Sequence, residues 1–307
     1  MGGEIGMNTL YVIGNGFDLH HTLRTEYQDF KEWLYKVDDE LANIYKRVCQ
    51  PTDEKWNDFE ESLGYFNKDV FDDIVRNYGN DDVPEMVGEA QFEMNILGQK
   101  MKKICHRMKE YILQLNYPET INGFLKIDKE SLFLNFNYTN TLERYYNIKR
   151  ENICYIHNKA DDVGDVILGH GEDRFESFSK VEIKPDKLSD KEEEYWRDEM
   201  SAQESFYSDL AEEEVKNIHN YLKKETAIHI ERNKYFFEKL SEITKIYVFG
   251  HSLNEIDLPY FKHIAKMNQN KAMWFVSYHK KDEKNFRTRL GEIGIKNIET
   301  CKLTDFI

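Results

Sequence analysis

The sequence lacks any apolar run long enough to cross a bilayer, and it lacks a signal-peptide pattern. Membrane-spanning and secreted classes are therefore not expected, and the expected compartment is the cytoplasm. Cysteine is scarce: Cys49, Cys105, Cys154 and Cys301 are the only four, and no two are close in sequence. That excludes a zinc ribbon and a redox Cys-x-x-Cys. Three of the four stand in apolar or helical surroundings, where buried free thiols are the expectation, and the usage fits a reducing cytoplasm. Basic charge is also short. There are 42 Lys and Arg against 57 Asp and Glu, a formal charge of −15. Such a surface opposes nonspecific binding to nucleic acid or anionic membrane, and no basic run offers a local exception.

What is present is a chain of 307 residues with 14% aromatics, enough for a substantial core. Short apolar segments read as strands: Leu10–Ile13, Ser131–Asn137, Ile153–Ile156, Val166–Leu168, Lys245–Phe249 and Met273–Tyr278, with a weaker one at Asn297–Thr300. Helical stretches lie between them. This alternation predicts an α/β fold, an open, mostly parallel, Rossmann-like doubly wound sheet. Two large helical insertions interrupt it, at about 27–115 and 176–243. In the first, Met101, Ile104, Met108 and Ile112 form a stripe. In the second the stripe is Tyr207, Leu210, Val215, Ile218 and Leu222, and charge runs such as Asp190–Glu194 are its solvated face. Neither insertion is rich in Pro or Gly, so residues 1–307 are expected to form a single α/β domain. Residues 1–6 precede a second methionine, Met7, and are read as an extension outside the fold.

The most informative segment is Leu10-Tyr-Val-Ile-Gly-Asn-Gly-Phe-Asp18. A buried strand ends in a glycine turn, where backbone N–H groups can approach a phosphate without Cβ obstruction. The dinucleotide fingerprint is incomplete, because Leu19 stands where its third glycine belongs and no acidic partner follows a second strand. Ligands of open α/β sheets bind beyond the carboxyl ends of the strands, and the other strand ends are polar too. One carries Asn135-Phe-Asn137-Tyr-Thr139-Asn140, with Glu143 further on. A capping box would explain Thr139, Asn140 and Glu143, while Asn135 and Asn137 fall on one face. Others carry His157-Asn158, Gly169-His170-Gly171, and Gly250-His251-Ser252 with Asn254 and Asp257, where Ser252 or Asn254 could cap the next helix. Their collection on one expected edge predicts a ligand site.

Taken in order, these segments, together with Thr25-Glu-Tyr-Gln-Asp-Phe30 and Trp56-Asn-Asp-Phe-Glu60, resemble the AbiH family of bacterial phage abortive-infection proteins. The resemblance runs from about residue 8 to the C-terminus. The AbiH pattern is in turn similar, more distantly, to the sirtuin-like NAD-binding fold. That likeness implies NAD as substrate or ligand. It puts Gly14 and Gly16 at the phosphates, with Gly14, Asn15, Gly16 and Phe17 as the grip, makes Asn137 the counterpart of an Asn near the nicotinamide ribose, and adds Asp18, Asn135 and Thr139 to the cofactor-binding residues. His157 becomes the counterpart of the catalytic His, and Gly250, His251 and Ser252, with Asp257, touch the cofactor. Asn158 replaces the Gly usual after the His, and Thr139 replaces an Asp. The four-cysteine zinc module is absent, which argues against protein deacylation.

The resulting expectation is cleavage of the N-glycosidic bond of NAD, with Asn137 as the ribose contact and His157 as base. His170 is a rival base. No metal is expected. A second reading is a nucleotide-sensing module that does no chemistry and acts through a partner. A third is a metal-dependent nuclease using Asp18, Glu60, Asp173 and the histidines. Against it, Trp56, Phe59 and Leu63 make the Glu60 segment look like core packing, and the net charge disfavours nucleic acid. The expected partner is a small nucleotide, with a phage-derived trigger and a homo-oligomer left open, and no membrane.

Overall fold

The computed structural model describes residues 8–79, 87–121, 123–171, 189, 191, 212–279 and 283–307. Contacts divide the chain into two compact units, one of 1–30, 105–171 and 224–307, the other of 31–104 and 172–223. Tyr207, Leu210, Asp173 and the 190–194 charge run fall almost wholly outside the described residues.

The first unit holds a six-stranded sheet: β1 (Thr9–Ile13), β2 (Leu132–Asn135), β3 (Ile153–Tyr155), β4 (Lys245–Phe249), β5 (Met273–Tyr278) and β6 (Ile298–Lys302). Every pairing is parallel, in the order β3-β2-β1-β4-β5-β6. Parallel strands need both faces covered, so their sequences run apolar rather than alternating. Leu10, Val12, Leu132, Leu134, Ile246 and Val248 enter one core, with Phe261 and Ile264 of helix Leu258–Met267. Tyr11, Ile13, Phe133, Tyr155 and Phe249 enter the other, with Leu142 and Tyr146 of helix Thr141–Tyr146. On that second face an aromatic row crosses the sheet. Phe133, Tyr11, Tyr247 and Phe275 stack at centroid spacings of 5.1, 5.1 and 4.9 Å.

The expected strand at Val166–Leu168 does not form a ladder. Its backbone instead ties to the loop after β3, where Ile167 N–H donates to His157 C=O at 2.9 Å. β2 stops at Asn135, short of the expected Asn137. Asn135 Oδ1 accepts the Asn137 N–H at 3.0 Å, a side-chain turn that ends the strand. Cys49, Cys105 and Cys154 are buried free thiols, as expected.

The second unit is helical where described, with helices Asp39–Cys49 and Lys68–Gly79 among its elements. Trp56, Phe59 and Leu63 are fully buried, and Tyr45 packs its ring 4.4 Å from Trp56 and 4.9 Å from Phe59. The tryptophan motif is therefore core packing.

Strand order reverses between β1 and β4, and there the glycines matter. Gly14 N–H donates to Phe249 C=O at 2.9 Å, and Gly16 N–H to Gly250 C=O at 2.8 Å. A Cβ on Gly14 would lie 2.6 Å from His251 Cα, one on Gly16 2.8 Å from Gly250 Cα, and one on Gly250 2.2 Å from Phe17 N. Gly250 also has φ +66°. Left-handed backbone plus a backbone clash should make Gly250→Ala cost roughly 1–3 kcal/mol or more. Gly291 lies in helix Glu283–Glu292, and a methyl group there would meet nothing within 4 Å, so Gly291→Ala should be neutral or stabilising. Denaturant midpoints of the two variants should separate clearly; coincident midpoints would contradict this packing.

Candidate functional site

After β1 the chain passes through Gly14 straight into the short helix Asn15–His20, and this start is held to its neighbours by hydrogen bonds. Besides the Gly14 and Gly16 bonds to the β4 loop, Phe17 N–H donates to Gly14 C=O at 2.9 Å. Asn15 Nδ2 donates to Thr25 C=O at 2.8 Å. Asn137 Nδ2 donates to Gly14 C=O at 3.0 Å, so the loop after β2 is fastened to the same turn.

Beneath that contact lies Asp18, only 1% exposed. Thr139 Oγ1 donates to its Oδ2 and Thr141 Oγ1 to its Oδ1, both at 2.6 Å. Desolvation raises the Asp18 pKa to about 6, against the hydrogen bonds of Thr139, Thr141 and Asn137, which favour the carboxylate. The capping-box explanation of this segment does not hold. Asn140 is the N-cap of helix Thr141–Tyr146 but makes no side-chain cap, and Thr139 gives its hydroxyl to Asp18 instead.

A second polar cluster gathers beyond β3 and β4. His157 follows β3 and His251 follows β4, and both face Asp257. His251 Nδ1 accepts the Leu253 N–H at 2.9 Å. That leaves Nε2 protonated, 3.5 Å from Asp257 Oδ2. His157 Nε2 lies 3.9 Å from Asp257 Oδ1, and Lys224 Nζ lies 3.9 Å from the same oxygen. His157 Nε2 and Asp257 Oδ1 are buried atoms with no hydrogen bond. The rings of Phe136 and Tyr260 enclose His157 at 5.3 and 5.7 Å, and Phe136 meets His251 at 4.4 Å.

Electrostatics follow from this enclosure. Desolvation pushes the Asp257 pKa up, but Lys224, the His251 hydrogen bond and His157 outweigh it and hold the carboxyl well below its usual range. Desolvation, then the Lys224 charge, drive the His157 pKa well below the ordinary imidazole value, against the pull of Asp257. His157 is thus a neutral imidazole beside an ionised carboxylate. Lys224 had no signal in the sequence, since Lys223-Lys224-Glu225 reads as solvated surface.

The remaining candidates fall around these clusters. His170 is buried, and its C=O accepts the Lys224 N–H at 2.7 Å, which ties its segment to the Asp257 cluster. Ser252 is exposed. Neither it nor Asn254 supplies a side-chain cap: Asn254 and Asp257 are the N-cap positions of the next two helical segments, and neither makes a side-chain cap bond.

A profile of the family described as bacteriophage abortive infection AbiH matches residues 10–278. The chain belongs to the AbiH family. No curated protein and no solved structure matched it. The matched span of this AbiH protein includes the glycine turn, both polar clusters and the tryptophan motif. Among the described residues, no helix is long and apolar enough to cross a membrane. Among them, too, no group of three or more His, Cys, Asp and Glu is placed to hold a metal ion.

The Asp18 environment has a measurable consequence. Its folded pKa of about 6 lies above the ordinary aspartate value of 3.8. Its contribution to stability is therefore fully present below pH about 3.8 and is lost as pH rises through about 6. Asp18→Asn should remove that component, so the difference in urea midpoint between variant and wild type should change across this window. A constant difference between about pH 4 and 7 would contradict the raised pKa.

Proposed function

We propose that this AbiH-family phage-defence protein binds NAD or a related nucleotide at the carboxyl edge of its sheet and hydrolyses the N-glycosidic bond. The observation that carries this reading is the buried His157 Nε2, without a hydrogen bond and 3.9 Å from Asp257 Oδ1, at the sheet edge where open α/β folds bind ligands. Breaking the bond between C1′ of the ribose and the ring nitrogen of nicotinamide releases a neutral pyridine, because the ring is cationic beforehand. Water then adds to C1′ and gives up a proton. His157 Nε2 is the proposed acceptor of that proton; the enclosure that lowers its basicity has to open first, and Asp257, 3.9 Å away, then stabilises the imidazolium. The products are nicotinamide, ADP-ribose and a proton. Asn137, fixed on the Gly14 carbonyl, is the assigned ribose contact, and the Gly14–Asp18 and Gly250–Ser252 turns border the nucleotide.

The 2% exposure of His157 supports an enzyme held closed at rest. An abortive-infection effector acting on its own cell's nucleotides must be withheld until infection, and displacement of the Phe136 ring or the 250–257 loop would open the base. The same enclosure equally supports the sensing reading, in which the ligand is held and never cut.

Mass spectrometry of a defined nucleotide pool, incubated with purified protein with and without phage-infected extract, separates the two. Hydrolysis predicts loss of NAD and gain of nicotinamide in at least one arm. His157→Ala should slow that loss by about 10²–10⁴-fold, with thermal denaturation confirming that the variant is folded. Recovery of bound but intact nucleotide in both arms would replace hydrolysis with sensing.

A further inference from the structure

Beside the carboxyl ends of β2 and β3 lies an open pocket of about 380 Å³, within the size range of small-ligand sites. Its walls include Tyr117, Tyr138, Asn140, Arg144 and Asp161. Of these, Tyr138 and Asn140 belong to a segment that stood out in the sequence, Asn140 there as a helix cap rather than a ligand contact.

Three features define its chemistry. The Arg144 guanidinium lies 4.7 Å from the Tyr117 ring centroid and 6.0 Å from that of Tyr145. Among the described residues no carboxylate pairs with it, so a guanidinium set over an aromatic ring forms part of the pocket lining. Asn140 Oδ1 is buried and has no hydrogen-bond donor. Its backbone is tied into the helix that carries Arg144, since the Arg144 N–H donates to Asn140 C=O at 2.9 Å. Asp161 supplies a second acceptor, and its charge is balanced by Lys159 Nζ at 3.0 Å, which also reaches Glu143 at 3.2 Å.

We propose that this pocket takes a planar nitrogen heterocycle carrying N–H donors, the chemistry shared by a nucleobase and a carboxamide-bearing pyridine. The ring stacks on the Arg144–Tyr117 pair, as bases stack on guanidinium and aromatic planes. Its N–H groups go to Asn140 Oδ1 and Asp161. The buried Asn140 acceptor gains the partner it lacks, and an unsatisfied buried acceptor is costly. A sugar phosphate offers neither the ring nor the amide-type donors, and its negative charge meets Asp161. The inference rests on the nucleotide reading above and assigns which part of the nucleotide the pocket recognises.

The test is calorimetric titration of the full chain with NAD, AMP, nicotinamide and ribose 5-phosphate. NAD and at least one of AMP and nicotinamide should bind, and the one that binds identifies the ring. Ribose 5-phosphate should give no heat at the same concentrations. Asn140→Ala, Asp161→Ala and Arg144→Ala, each checked for folding by circular dichroism, should weaken ring binding about tenfold or more. The proposal is overturned if no ring compound binds, if ribose 5-phosphate binds as well as AMP, or if all three folded variants bind as wild type does. Nucleotide hydrolysis is a separate readout. NAD turnover unchanged in the three variants sinks the pocket and leaves the hydrolysis reading standing. Ring binding lost in the variants, with NAD never consumed by wild type, keeps the pocket and sinks hydrolysis.

Discussion

Everything at the sheet's carboxyl edge depends on one close backbone approach. Gly14 and Gly16, after β1, meet Gly250, after β4, so tightly that no Cβ fits at any of the three positions. Two hydrogen bonds, from Gly14 N–H to Phe249 C=O and from Gly16 N–H to Gly250 C=O, close the contact. It lies where the strand order reverses, the point at which open α/β sheets form a crevice. From there each polar group is placed in turn. Asn137 is fixed on the Gly14 carbonyl. Asp18 follows shortly after Gly16 and gathers Thr139 and Thr141. His251 directly follows Gly250 and is aimed at Asp257. A methyl group at this contact would disturb both polar clusters together.

The sheet was legible because parallel strands buried on both faces are continuous apolar runs, and β1, β4 and β5 are such runs. Val166–Leu168 has the same composition without being a strand, since composition does not say whether a neighbour is free to pair. The glycine segment was expected as a turn, and in the structure it is the start of a short helix, Asn15–His20, with Gly14 as its N-cap. Its service as a packing surface was not legible, because the surface it packs on lies at Gly250–His251, far along the chain. Asp18 read as a flanking acid of a phosphate loop, and the structure shows both its oxygens committed to threonines. Lys224 was invisible for a different reason. A lysine in a charged run looks solvated, and only the fold can bury it against Asp257. The pocket residues Tyr117, Arg144 and Asp161 come from segments with no shared pattern, and only the fold brings them together.

Two buried carboxylates in one edge have been driven in opposite directions. Asp18 is surrounded by hydroxyls and an amide, which stabilise its charge too weakly to offset burial, so its pKa rises to about 6. Asp257 is surrounded by Lys224, His157 and His251, and its charge is retained despite burial. Environments that separate the pKa values of like groups mark where proton chemistry is organised. The Asp18 cluster reads as a fastening between loops, since both oxygens accept from threonine hydroxyls. The Asp257 cluster retains two buried atoms, His157 Nε2 and Asp257 Oδ1, that face each other without a hydrogen bond. Native proteins leave few such atoms, and those they leave call for an explanation beyond packing.

The two loops after β2 and β3 connect that cluster to the pocket. The β2 loop carries Phe136, which encloses His157, and a few residues on carries Asn140, which lines the pocket. The β3 loop carries His157 near its start and continues to Asp161 at the pocket wall. The loops are joined midway, where Ala160 N–H donates to Tyr138 C=O at 2.9 Å. The residues that line the pocket and the ring that encloses the imidazole are thus set on the same two segments, tied at one point by a backbone hydrogen bond. A single short connection fixes the spacing of both, because backbone so tied cannot shift at one end without straining the bond.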